Sequence, residues 1–332
     1  KFDESVSPEK RRIDSTEDRV NVRYPPENGN PPNNSPKEAF YYNNWSGVPS
    51  DDNESNWNYI TGLIGPKYII SGSGNLAALE NGFHIVMGKI GTGGIPTDSS
   101  TNYIIYLSFN EFSITENLEV EISGGKPIDS ILNQYLDGVL DANCKGLIYD
   151  VRGNVGGANQ DIPLLLSPLL TEDLHFAYTR TKKGINRLDY MPWAPYILRA
   201  NPADGIRATN AGTIQVVALI NDYSVSCGEL IPLAIKSMPN GYLIGTRTWG
   251  ATGPRWGDTS PAATHDGSFS GNKLWLNVTE AGLQTKGLNF ESYEGIGISP
   301  DEEVEFDWNE FRNQGKDKQL DAAIAHIKAS LP

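Results

Sequence analysis

Between residues 101 and 250, short apolar segments alternate with longer amphipathic ones. The segments "NYIIYLSFNEF" and "KGLIYDV" are typical of buried strands. Between them, "PIDSILNQYLDGVLDANC" carries apolar residues at helical spacing, namely Ile128, Ile131, Leu132, Tyr135, Leu136, Val139 and Leu140. The segments "TIQVVALIN", "CGELIPLAIKSM" and "GYLIGTRTWG" repeat the order of strand, helix and strand. This order predicts an α/β layer with parallel strands.

The rest of the chain differs in character and suggests three regions. Residues 1–40 are rich in Pro, Asn and charge, which predicts an extended or partly ordered arm. Residues 41–100 contain short strand-like segments broken by Gly and Asn, which predicts a small β-rich module. Residues 101–332 form the α/β domain, in which "KLWLNVTEAGLQTKG" predicts a β-hairpin and "KDKQLDAAIAHIKASL" a closing helix.

Composition excludes several classes of function. The net charge of -14 argues against binding nucleic acid, because phosphates require clustered Lys and Arg. The chain has no apolar run long enough for a membrane span, and its polar start is not a signal peptide, so we expect either that the mature chain is soluble or that a targeting segment was removed. Only two Cys and four widely separated His are present, so we expect neither a disulfide framework nor a metal site, and no cofactor.

The segment "NDYSVSCGEL", residues 221–230, lies where an apolar strand passes into an apolar helix. Ser226 and Glu229 spell S-x-x-E, the capping box of a helix start. A nucleophilic Ser would also gain from this position, because the free amides and the positive end of the helix stabilise an oxyanion. The segment alone leaves both readings open.

Two further segments have both a structural and a catalytic interpretation. "YDVRGNVGG", residues 149–157, is either a tight turn that needs positive φ or a turn whose amides form half of an oxyanion hole. In "YEGIGISPDEEV", residues 293–304, Glu294 is either a solvated loop carboxylate or the residue that orients a catalytic base.

The three segments together, in this order and at these separations, resemble the tail-specific, or carboxyl-terminal processing, serine peptidases and their tricorn-core relatives, especially the secreted and lipid-anchored bacterial members. The resemblance covers approximately residues 101–305. It implies a crotonase-like or Clp-like α/β spiral of strand-helix units, preceded by the smaller β-rich segment. It also implies that residues 41–100 are either a reduced PDZ-like peptide-binding module or a cover segment.

The resemblance implies a role for each matching residue. Ser226 is the nucleophile and Ser224 the adjacent wrong candidate, while Glu294 is the triad carboxylate of the tricorn branch. The oxyanion hole matches Gly156 or Gly157 together with the amide of Cys227. We expect Cys227 to be a small buried residue rather than a nucleophile, although a thiol at a helix start has a lowered pKa.

The general base departs from both branches of the family. Ala251, in "TWGATG", stands where the processing peptidases have a Lys, and no "D-G-H" segment of the tricorn-like branch precedes residue 101. His84 lies in a strand-like setting and His265 in "H-D-G" lies downstream of Ser226, so we expect both to be structural or loop residues. We therefore expect the base to be a His upstream of Lys1, in a longer protein from which this chain is a fragment or proteolytic product.

Two hypotheses follow from the sequence. The first is a serine peptidase that hydrolyses peptide bonds through an acyl-enzyme on Ser226, acts on a peptide or protein substrate and lies outside the cytoplasm as a periplasmic, secreted or lipid-anchored protein. The second is an inactive family member that binds a peptide or a hydrophobic ligand. The absent Lys and His favour the second, whereas the presence of Ser226 and Glu294 favours the first.

Overall fold

The computed structural model describes residues 68–70, 73–78, 83–92, 102–118, 128–181, 183, 188–200, 208–253, 268–271, 274–277 and 284–331. The predicted arm, residues 1–40, and most of the predicted β-rich module, residues 41–100, lie outside this part of the chain. The boundaries of these two regions therefore stay predictions.

A seven-stranded sheet organises the described residues, with the strand order β1-β2-β3-β4-β7-β8-β12. Its strands are β1 (Asn75–Ala78), β2 (His84–Gly91), β3 (Tyr103–Phe109), β4 (Cys144–Asp150), β7 (Gln215–Ile220), β8 (Gly241–Gly245) and β12 (Glu302–Glu303). The last five are parallel to one another, while β1 and β2 are antiparallel to their neighbours. The predicted α/β layer with parallel strands is confirmed.

Five α-helices connect or follow these strands in the described residues: α1 (Ile128–Leu140), α2 (Asp161–Leu166), α3 (Cys227–Lys236), α4 (Trp308–Gln314) and α5 (Lys318–Ala329). The predicted first helix and the predicted closing helix match α1 and α5. Six of the seven apolar side chains predicted for one face of α1 are buried or partly buried. Leu140, at its carboxyl end, is 42% exposed and does not belong to that face.

The sheet separates two apolar layers. Alternate residues of β3 point to opposite sides: Ile105 and Leu107 pack with α1, whereas Ile104 and Tyr106 pack with α4 and α5. This alternation follows from the period of two along a strand. It explains why β3 reads as a continuous apolar run, because both faces of a central parallel strand are covered.

Two smaller sheets accompany the central one. β5 (Leu174–Arg180), β6 (Ala194–Leu198) and β11 (Gln284–Lys286) form a three-stranded antiparallel sheet in the order β11-β5-β6. β9 (Ser268–Gly271) and β10 (Leu274–Asn277) form a two-stranded one. The predicted hairpin in "KLWLNVTEAGLQTKG" is therefore wrong. β10 pairs with the strand before it, and β11 pairs with β5.

A buried ion network fixes the turn that follows β4. The Arg152 guanidinium pairs with Asp150 at 2.5 Å and with Asp317, at the start of α5, at 2.8 Å. All three side chains are almost completely buried. The network joins the turn after β4 to the carboxyl-terminal helix and so holds the backbone that leads into the glycine pair of this turn.

None of the helices in the described ranges has the length and hydropathy needed to cross a membrane. The same part of the chain contains no group of three His, Cys, Asp or Glu side chains that could hold a metal ion.

Candidate active site

Ser226 occupies the position between the carboxyl end of β7 and the first residue of α3. It is half-buried, and its backbone has φ 56° and ψ -118°. A non-glycine residue with positive φ is strained and persists only where its surroundings enforce it, which is common at functional sites. In this sharp turn, the amide of Ser226 donates to the carbonyl of Ala251 at 3.0 Å.

Ser224 has a different environment. It is completely buried, and its Oγ donates to the carbonyl of Val151 at 2.7 Å while accepting from the amide of Asn221 at 3.2 Å. These bonds tie the end of β7 to the end of β4. The side chain of Ser224 is therefore a structural link, which agrees with its treatment as the wrong candidate.

The turn "RGNVGG" after β4 packs directly on Ser226. Gly153, Gly156 and Gly157 all have positive φ, as the glycine-rich sequence predicts. A Cβ at Gly156 would lie 2.5 Å from Cβ of Ser226, so only glycine allows this approach. The turn is held from within, because Oδ1 of Asn154 accepts from the amide of Gly156 at 2.9 Å.

Two backbone amides next to Ser226 have no hydrogen-bond partner within the described part of the chain: those of Gly157 and Cys227. The amide of Gly156 is engaged with Asn154, so the two glycines of the turn are not equivalent. The Cys227 amide is the first of α3, where unsatisfied N–H groups and the helix dipole favour a negative charge. This pair of amides can stabilise an oxyanion that forms beside Ser226.

The thiol of Cys227 is buried and takes no part in this amide pair. Its Sγ lies 3.1 Å from the carbonyl of Gly157 and 2.9 Å from Oδ1 of Asn159. Burial raises the pKa of the thiol to about 12, so it stays protonated at neutral pH. This environment is that of a small buried residue, as predicted for the Cys227 side chain.

Glu229, three residues after Ser226, has a completely buried carboxylate that accepts four hydrogen bonds. Oε1 accepts from Oγ1 of Thr248 at 2.6 Å and from the amide of Gly250 at 2.7 Å. Oε2 accepts from the amide of Ala251 at 2.7 Å and from that of Ser226 at 3.3 Å. The last bond is the glutamate half of the predicted capping box, but the other three join α3 to the segment after β8. The S-x-x-E spacing did not reveal this second function.

Burial is the main influence on the Glu229 carboxyl and raises its pKa to about 7. The hydrogen bonds from Thr248, Ala251, Gly250 and Ser226 act in the opposite direction, because they favour the ionised form. The group therefore changes charge near neutral pH while it contacts the backbone of Ser226.

Glu294 lies on the turn that packs against the same segment after β8. Its Oε2 accepts from Oγ1 of Thr252 at 3.1 Å and from the amide of Gly253 at 2.9 Å. The amide of Gly295 donates to the carbonyl of Gly250 at 2.7 Å. Ser226 contacts the same segment through the carbonyl of Ala251, so Ser226 and Glu294 are hydrogen-bonded to residues that are neighbours in sequence. The carboxylate is exposed to solvent.

The described residues do not place a general base next to Ser226. Within them, no His or Lys side chain is hydrogen-bonded to Ser226. Ala251 lies beside Ser226 with no basic group, and His84 begins β2, at the far side of β3. The ring of His175 packs on Tyr178, and that of His326 stacks on Tyr242. His265 lies outside the described residues.

The sequence profile of peptidase family S41 matches residues 101–304, more than half of the chain. Over 197 residues the chain is 30% identical to the tricorn protease of Thermoplasma volcanium, a match that covers 59% of this chain and 16% of that protein. The chain thus spans about a sixth of the length of this relative.

Solved structures share the fold. A structure from Parabacteroides merdae, described as a candidate peptidase, is 23% identical with a TM-score of 0.53, covering 82% of this chain and 69% of that one. Mature CPAF is 16% identical, also with a TM-score of 0.53, covering 74% of this chain and 53% of its own.

Proposed function

The chain belongs to peptidase family S41, and on this premise we propose that it is a serine peptidase that hydrolyses peptide bonds through an acyl-enzyme on Ser226. The observation that carries the proposal is a pair of amides, those of Gly157 and Cys227, which have no partner among the described residues and lie beside a strained and half-buried serine. A serine that served only as a helix cap would need neither the strain nor the second amide.

In the proposed reaction, Oγ of Ser226 attacks the scissile carbonyl carbon and passes its proton to a general base. The carbonyl oxygen becomes an oxyanion and accepts hydrogen bonds from the amides of Gly157 and Cys227. The base returns the proton to the leaving amine, and water then hydrolyses the ester to release the new carboxyl terminus and free Ser226. No metal or cofactor takes part in these steps.

We assign the base to a histidine outside the described residues, oriented by Glu294. Three features support the assignment: Ala251 replaces the Lys of the other branch, no described His or Lys contacts Ser226, and Glu294 is anchored to the segment that contacts Ser226. Carboxylates that orient a catalytic His act by fixing its tautomer and stabilising its charged form.

Labelling with a fluorophosphonate, which reacts with activated serines, tests the proposal. We expect labelling of the chain, stimulated by added imidazole if the base is missing from it, and complete loss in Ser226→Ala. Ser292→Ala, which removes an exposed hydroxyl near Glu294, should be labelled normally. Absence of labelling at Ser226 with and without imidazole would overturn the proposal and favour a binding protein.

The location outside the cytoplasm, as a periplasmic, secreted or lipid-anchored protein, belongs to the same proposal and is supported by the sequence resemblance to secreted bacterial members. Fractionation of the producing cells tests it: we expect the protein in the extracytoplasmic or membrane-associated fraction, and recovery only from the cytoplasm would contradict it.

A further inference from the structure

The small sheet β11-β5-β6 carries a surface that the proposed chemistry does not use. We call it the cation–aromatic platform. It consists of Tyr178, Arg180, Tyr190, Trp193, Lys286 and Phe290.

Arg180 lies at the centre of the platform. Its guanidinium carbon is 4.3 Å from the ring centre of Tyr190 and 4.5 Å from that of Trp193. Nε donates to Oε1 of Gln284 at 2.8 Å. Within the described part of the chain, the terminal nitrogens have no hydrogen-bond partner and no carboxylate forms an ion pair with this residue. The two neighbouring rings hold the planar fork in place, so it can donate to a carboxylate with little loss of side-chain entropy.

Phe290 packs on the Trp193 ring that lies against this cation, and further apolar side chains on the preceding segment, residues 188–191, are open to solvent. Phe290 stacks on Tyr178 with ring centres 4.5 Å apart, yet it is 45% exposed. Met191 is 46% exposed and Leu188, on the segment before β6, is 82% exposed. Exposed large apolar side chains that cluster in this way mark an interaction surface, whereas single ones do not.

The platform is continuous with the candidate active site. Lys286, the last residue of β11, forms an antiparallel bridge with Ser292, two residues before Glu294. Phe290 lies on the connecting turn, and its carbonyl accepts from Nζ of Lys286 at 3.0 Å. A polypeptide that extends from the scissile bond past Glu294 therefore reaches the platform by following the turn 287–293.

We infer that the platform binds an internal segment of the polypeptide substrate in which an acidic side chain lies next to bulky aromatic or aliphatic ones. The inference rests on the proposed peptidase function and specifies its substrate class. The guanidinium of Arg180 donates two hydrogen bonds to the carboxylate, and Phe290, Trp193 and the neighbouring apolar side chains bury the apolar groups of the same segment.

Charge and shape favour an internal segment over a chain terminus. The protein carries a net charge of -14, and against this acidic background the two cations on one small sheet create a local attraction for acidic groups. Several apolar contacts surround the cation, and only a stretch of successive side chains fills them together with the carboxylate site. A terminal carboxylate would satisfy Arg180 but leave most of the apolar surface exposed.

Binding to the Ser226→Ala chain tests the inference without turnover. The probe is a fluorescein-labelled peptide, amidated at its carboxyl end, in which Glu residues flank Phe and Leu; matched peptides replace Glu by Gln, or Phe and Leu by Ala. We expect the acidic, apolar peptide to bind about tenfold more tightly than either matched peptide. The Gln peptide loses a charged hydrogen bond, and the Ala peptide loses the burial of its apolar side chains.

Variants in the same background locate the site. Arg180→Gln should weaken the acidic peptide about tenfold and leave the Gln peptide unchanged. Arg180→Lys, which keeps the charge and loses the fork, should lie between the two. Lys145→Gln removes the same charge at the amino end of β4, in the central sheet rather than the small one, and should have no effect. Circular dichroism and Tm confirm that each variant is folded.

Equal binding of the acidic and Gln peptides, or equal effects of Arg180→Gln and Lys145→Gln, would overturn the inference. Binding that requires a free terminal carboxylate would overturn the assignment to an internal segment. Because binding is measured in Ser226→Ala and labelling in the parent, failure of the platform and failure of the peptidase proposal are separate results.

Discussion

The carboxylate of Glu229 accepts a hydrogen bond from the amide of Ser226, three residues before it, at 3.3 Å. The same carboxylate binds the amides of Gly250 and Ala251, and the next two residues, Thr252 and Gly253, hold Glu294. One buried group therefore joins the candidate nucleophile to the segment that positions the candidate triad carboxylate. Its role is that of a positioning residue, since it acts through the backbone.

Glu229→Gln should misplace this segment. Four donors converge on the two carboxylate oxygens, and the Gln amide replaces one oxygen by a donor, so at least one pair of bonds is lost. We expect the rate of fluorophosphonate labelling at Ser226 to fall at least tenfold and the free energy of unfolding to fall by about 2 kcal/mol. Kinetic labelling and urea unfolding measure the two effects. Glu172→Gln, the same substitution at an exposed glutamate before β5, should leave the labelling rate unaltered.

The pH dependence of stability distinguishes a Glu229 carboxyl that titrates in the folded protein from a side chain that contributes only by packing. Its pKa is raised from 4.5 to about 7, so the folded state binds the extra proton between these values. The associated stability is complete below pH 4.5 and is lost as pH rises through about 7. Between pH 5 and 8 we expect the parent to lose about 2.5 kcal/mol of unfolding free energy that Glu229→Gln does not lose. Parallel pH profiles for the two proteins would contradict this expectation.

Much of this fold could be predicted from the sequence because its central strands and first helix are long and strongly periodic. The apolar runs of β3, β4 and β7 identify a parallel sheet buried on both faces, and parallel topology places Ser226 and the 153–157 turn at one edge. The glycine-rich sequence of this turn predicts positive φ, and the S-x-x-E spacing predicts a helix start.

Other features could not be read from local patterns. The positive φ of Ser226 is enforced by tertiary contacts, and serine carries no signal for it. The difference between Gly156 and Gly157 depends on which amide Asn154 engages. The pairing of β11 with β5 joins segments far apart in sequence, and period-two alternation does not identify a strand's partner. For the same reason the predicted hairpin joined the wrong strands.

Gly156→Ala should disturb the site more than the small volume of one added methyl group suggests. The added Cβ would meet Cβ of Ser226 at 2.5 Å and the amide nitrogen of Cys227 at 3.0 Å, and φ is +91°. We expect labelling of Ser226 to fall by at least tenfold, because the turn must move away from it, with a loss of about 1 to 3 kcal/mol in stability. Gly212→Ala is the control: it has φ +78° and a similar clash, but with the side chain of Thr171. It should lower Tm without slowing the labelling of folded protein.

Arg152→Met tests the buried network behind the same turn. The substitution leaves Asp150 and Asp317 buried without their cation, and removing one partner of a buried ion network costs about 3 to 5 kcal/mol. We expect a large fall in Tm together with weaker labelling, since Gly153 to Gly157 follow directly. Arg199→Met removes an exposed ion pair with Asp173 and should leave Tm almost unchanged. Equal shifts for the two variants would contradict the assigned role of the network.

Glu294→Gln separates the proposed triad role from a role in folding. The carboxylate is exposed, and its contacts to Thr252 and Gly253 use only Oε2, so Gln can keep both bonds through its carbonyl oxygen. Tm should therefore change little. If Glu294 orients a histidine, loss of its charge should slow labelling of Ser226 by about a hundredfold or more, since the imidazolium loses its counter-ion and its fixed tautomer. Glu302→Gln, at another exposed glutamate after the same turn, should label at the parental rate. Parental labelling by Glu294→Gln would remove this residue from the mechanism while leaving the assignment of Ser226 intact.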